Sequence, residues 1–62
     1  MPYVNIRVAG TLTKEQKAEI SEGVTDVICR VANKPPEAVL LMIDELVHEN
    51  IAKAGKLLEP PK

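Results

Sequence analysis

The chain has 62 residues, with eight Lys or Arg against nine Asp or Glu, a formal net charge of −1, and 45% hydrophobic but only 2% aromatic residues. Its basic residues are scattered and its one aromatic is Tyr3, so the basic stripe and stacking platforms of a nucleic-acid binder are missing. No apolar run approaches the roughly 20 residues of a membrane span, and no basic, apolar leader opens the chain. The expectation is a single cytoplasmic domain, residues 1–62, with neither nucleic-acid nor membrane partners.

Residues 2–8 alternate as a strand, with Val4, Ile6 and Val8 on one face and Tyr3, Asn5 and Arg7 on the other. Gly10 breaks the alternation. Thr13, with Gln16 three residues later, forms a capping box and predicts a helix start. Ile20, Val24, Val27, Ile28 and Val31 follow at helical spacing. Glu15, Glu19, Glu22 and Asp26 lie on a solvated face, and Asp26 and Arg30 stand one turn apart, the spacing of a weak ion pair. Asn33 and Pro35-Pro36 predict the helix end. The apolar run from Val39 to Ile43 has no period: it fits either a strand covered on both faces or a segment of buried helix. A strand there would complete a strand–helix–strand unit with a parallel pair, whose strands are covered on both sides. Gly55 marks a turn, and residues 59–62 read as a frayed tail.

A domain this short buries only about 60% of its unfolded surface and is marginal alone. Small scaffolds are completed by disulfides, a metal or oligomerisation. One cysteine excludes an intrachain disulfide. One cysteine and one histidine fall short of the Cys/His set of a four-ligand structural zinc site, so no metal is expected. Self-association is the remaining route.

Pro2 is the residue with distinctive chemistry. Methionine aminopeptidases act when the second residue is small, and proline qualifies. Removal of Met1 would turn an inert tertiary amide into a free secondary amine on a rigid ring. The reference α-amino pKa is about 7.7–8.0; a secondary amine starts higher, and apolar burial lowers it toward neutrality, where a general base works best. Proline after Met1 is also common without such chemistry, because the first position of a strand tolerates it. Cys29, beside Ile28 on the helix, reads as a small packed filler. His48 has no Cys or carboxylate partner at catalytic spacing and reads as a surface or interface residue.

The stretches "PYVNIRV" and "LTKEQKAEISEGVTDVI", with an N-terminal proline in a chain of this length, resemble the 4-oxalocrotonate tautomerase family over Pro2 to about Leu58. The resemblance implies an α/β fold: one β-α-β unit with parallel strands and a short C-terminal hairpin. It implies assembly of dimers into a homohexamer, no cofactor and no metal, and proton transfer between small enol or dienol acids and their conjugated ketones. Carried over by position, the general base is Pro2. The family's first arginine, an electrophile after the first strand, corresponds to Leu12, or to Thr11 if the loop is gapped to align Gly10. Its second, from a neighbouring subunit, grips a carboxylate and corresponds to Leu40. The aromatic near the hairpin corresponds to Ile51, and a polar contact two residues before the second arginine falls on Ala38. The base is kept and the bidentate clamp is lost, along with the electrophile for developing enolate charge. A doubly anionic dienol acid is expected to bind poorly. Leu12, Leu40 and Ile51 are expected to line an apolar pocket, with Arg7 the nearest replacement cation. Two other readings are a non-catalytic oligomeric or ligand-binding relative, and an amine that adds to carbonyls to form an iminium ion.

Overall fold

The computed structural model describes residues 1–61. The elements run β1 (Tyr3–Ala9), α1 (Lys14–Ala32), a 3₁₀ turn (Pro36–Ala38), β2 (Leu40–Leu46), a second 3₁₀ turn (His48–Asn50), β3 (Ala52–Lys53) and β4 (Lys56–Leu57). β1 and β2 pair in parallel with Tyr3 opposite Leu40 and Ala9 opposite Leu46. β3 and β4 form a separate antiparallel hairpin. This is the expected β-α-β unit with a short hairpin, and the Val39–Ile43 run is resolved as strand from Leu40 onward.

The first strand begins one residue later than its alternation predicts and ends one later. Pro2 has no N–H to give to a ladder, but its carbonyl accepts the Leu40 N–H at 3.0 Å. A proline just ahead of the strand therefore leaves no bond unmade. At the other end Gly10, at φ 96°, turns the chain out of β1 while its N–H is held by the Leu46 carbonyl at 2.7 Å. Thr13 caps α1, with both halves of the capping box formed: its hydroxyl accepts the Gln16 N–H at 3.1 Å, and the Gln16 side chain accepts the Thr13 N–H at 2.9 Å. Asn33 ends the helix in the left-handed conformation, φ 56°, which asparagine tolerates better than most residues.

Val4, Ile6 and Val8 of β1, Leu41 and Ile43 of β2, and Ile20, Val24 and Ile28 of α1 are half-buried and mark the layer between helix and sheet. Cys29 is half-buried, as a filler would be. Val27 and Val31 share the helical spacing but stay exposed, at 47% and 72%. Among the described residues no side chain is fully buried, so the helix–sheet layer of one chain is not a closed core. The ion pairs among them are Arg7–Asp44 and Lys17–Glu45. The expected Asp26–Arg30 pair is not formed, because two exposed side chains one turn apart gain little by fixing one geometry. Residues 59–61 of the expected tail carry no regular structure; Lys62 lies outside the described residues.

Candidate active site

Pro2 is half-buried immediately ahead of β1, and Met1 before it is 73% exposed. With Met1 attached, the Pro2 nitrogen is an amide and cannot act as a base. Leu40 is tied to Pro2 through its backbone and is 48% exposed on the outer face of the sheet, opposite Tyr3. These two candidates therefore stand together at the starting end of the parallel pair.

The others stand at the far end. Leu12 is tied to Glu45, which pairs with Val8, and Ile51 lies beside Arg7, Val8 and Ala9, so both stand toward the finishing end of β1 while Pro2 precedes its start. Ile51 is half-buried and lines a cavity of about 400 Å³ together with Arg7, Val8, Ala9 and Leu46. Two residues singled out separately in the sequence, Arg7 and Ile51, are thus brought to one depression. Arg7 faces Asp44 across the register, its Nε 3.7 Å from Asp44 Oδ2 with both side chains more than half exposed. A contact that long leaves most guanidinium donors free. Leu12 is half-buried in the β1–α1 loop and lines a second cavity, of about 520 Å³, with Gln16, Glu19, Ile20 and Gly23. Neither cavity that Leu12 or Ile51 lines includes Pro2.

Sequence reasoning missed Glu45. On β2 it alternates with Leu41 and Ile43, so it projects to the helix side. There its Oε2 accepts the Leu12 N–H at 2.8 Å, and its Oε1 accepts the Lys17 ammonium at 2.7 Å. The Lys17 hydrogen bond, and after it the Leu12 N–H, hold the Glu45 carboxyl below the ordinary glutamate range. An acid where the strand alternation calls for an apolar residue was the available signal. Glu45 also lines a third cavity, of about 370 Å³, at the finishing ends of β1 and β2, with Gly10, Thr11, Leu46 and His48 among its other walls. Among the described residues, no three His, Cys, Asp or Glu converge as metal ligands, and no helix is long and apolar enough to cross a membrane.

A single proline ahead of a paired strand is weak evidence by itself; the whole chain carries more. The family described as "Tautomerase enzyme" matches residues 2–60. A probable tautomerase of Helicobacter pylori is 36% identical over 59 residues, covering 90% of this chain and 87% of the relative. The 2-hydroxymuconate tautomerase of Bacillus subtilis is 33% identical over 58 residues, covering 94% of each chain. The crystal structure of YwhB, a homologue of 4-oxalocrotonate tautomerase, superposes with a TM-score of 0.84 at 30% identity, covering 90% of this chain and 92% of that one. Sequence and fold agree over nearly the full length, and the chain belongs to the tautomerase enzyme family.

Proposed function

We propose that the chain is an isomerase of the 4-oxalocrotonate tautomerase type, in which Pro2, freed by removal of Met1, is the general base. The neutral amine takes the proton of an enol hydroxyl as the carbonyl forms, and the resulting ammonium returns a proton to the conjugated carbon. The proton taken from the hydroxyl is balanced by the one returned to carbon, so the proposed step closes on the Pro2 amine alone. The observation that carries this reading is the setting of Pro2: half-buried, pinned through its carbonyl to Leu40 at 3.0 Å, and preceded by a Met1 that is 73% exposed. Pinning fixes where the ring points, and burial favours the neutral amine at working pH.

The substrate is a small enol or keto acid with one carboxylate. Leu12 and Leu40 stand where the family's arginines would hold charge. Arg7, loosely paired beside Ile51, offers donors for one carboxylate, and Asp44 next to it opposes a second negative charge. Leu12 and Ile51 stand toward the opposite end of β1 from their own Pro2, so a complete pocket would draw them from neighbouring copies. The functional unit is a homo-oligomer, with a hexamer favoured, acting in the cytoplasm, and residues 1–62 form one domain.

The test is ketonisation of the enol of phenylpyruvate by protein whose mass shows Met1 removed. A rate well above background, falling at least about 100-fold in Pro2→Ala, is the expected result. An equally active Pro2→Ala variant overturns the base assignment. The apolar residues Leu12, Leu40 and Ile51 favour a second reading, a non-catalytic or ligand-binding relative; it is adopted if assembled, Met1-free protein shows no turnover.

A further inference from the structure

We propose that Glu45 is a positioning residue of the active site: its carboxylate fixes the β1–α1 loop and thereby sets Leu12 against the substrate. This rests on the proposed function, in which Leu12 is a pocket wall. The geometry is a two-armed tie. One oxygen holds the Leu12 N–H at 2.8 Å and the other the Lys17 ammonium at 2.7 Å. The anchor is β2, paired along its whole length with β1. The segment it restrains runs from Gly10 to Thr13, between the end of β1 and the helix cap.

The Gly10 bond to Leu46 at 2.7 Å and the Thr13 capping box hold the two ends of that segment. Between them Leu12 is held by the Glu45 bond. A charged acceptor makes a backbone hydrogen bond about twice as strong as a neutral one. The location beside the first turn of α1 adds attraction to the helix dipole. Loss of the carboxylate would leave the Leu12 N–H to water and let its side chain leave the cavity it shares with Ile20 and Gly23. Glu45 touches no reacting atom in this scheme, so its effect belongs to substrate binding rather than to proton transfer.

The experiment measures KM and kcat for the enol substrate in the Met1-free oligomer. Glu45→Ala is expected to raise KM roughly fivefold or more while kcat changes by less than about threefold. Glu45→Gln, which keeps an oxygen for the Leu12 N–H, recovers most of that loss. Lys17→Met, which removes the ion pair but leaves the Leu12 bond, stays within about twofold of the parent. In a Leu12→Ala background, Glu45→Ala has no further effect on KM, because the group it positions is gone. If Glu45→Ala does not assemble, Glu45→Met, which keeps the side-chain length but offers the Leu12 N–H no oxygen, carries the same cycle. Additive effects of Leu12→Ala and the Glu45 substitution, or an unchanged KM, overturn the assignment while wild-type turnover and its loss in Pro2→Ala stand. Absence of Pro2-dependent turnover in the wild type overturns the underlying reading instead.

Discussion

Glu45 occupies a strand position whose neighbours in alternation, Leu41 and Ile43, are apolar and half-buried. Glu45 itself stays exposed, and both of its oxygens are used, one by a cation and one by a backbone N–H. Its folded pKa is lowered, so the sign of the pH dependence is fixed. The stabilisation is complete above the ordinary value of 4.5 and is lost as the pH falls from there through the folded pKa. Thermal unfolding of wild type and Glu45→Gln across this window should show the wild-type advantage shrinking on acidification. The comparison cancels His48 and Glu49, which line the same cavity and are present in both proteins. A gap that stays constant to below the carboxylate range would show that the ion pair does not stabilise the fold. Glu45 escaped sequence reasoning because its partners are 28 and 33 residues away, and nothing local announces them. Pro2 drew attention for the opposite reason: its distinctive chemistry lies in its own ring and needs no partner to be noticed.

At the scale of elements, the helix was the most legible part, because both of its ends are written in a few adjacent residues. Thr13 and Gln16 satisfy each other's backbone N–H groups, and Asn33 supplies the left-handed turn. Thr13→Ala removes the hydroxyl that accepts the Gln16 N–H and is expected to destabilise the folded protein by about 1 kcal/mol. Denaturant titration at one fixed protomer concentration measures this; no change in midpoint would show the cap to be redundant. The second strand was not legible, since an unbroken apolar run serves strand and helix alike. What decides it is pairing with β1 in the Tyr3–Leu40 register, a contact across 37 positions that no local window contains. The C-terminal hairpin was faint for a different reason. Its two central residues, Ala54 at φ 53° and Gly55 at φ 80°, both need positive φ, and Ala-Gly lacks the Asn-Gly signature of that turn.

At the scale of the whole molecule, one chain has too much surface. A compact protein of 6.8 kDa is expected to expose about 4,000 Å², whereas this chain exposes 5139 Å². Its radius of gyration is 14.6 Å, against about 11 Å for a compact chain of this length. Its extents of 41 × 25 × 14 Å describe a slab, in which a helix covers one face of a two-stranded sheet. The other face carries Tyr3, Leu40 and Met42 at 69%, 48% and 45% exposure, with the loosely paired Arg7 and Asp44 beyond them. A surplus near 1,000 Å² per chain is the scale of a specific protein interface, and in the proposed homo-oligomer a second copy laid on this face would supply the missing side of the core. Stability is then inseparable from association, and the unfolding temperature should rise with protomer concentration. Met42→Glu places a charge in the middle of the outer face, opposite Asn5 on β1. It is expected to shift sedimentation toward monomer, to remove the concentration dependence of unfolding and to lower enol ketonisation, because a pocket built from several copies comes apart with them. A Met42→Glu protein that sediments like the wild type would place the contact surface elsewhere, on the exposed Val27 and Val31 side of α1. The equivalent substitution Val27→Glu would then dissociate the assembly.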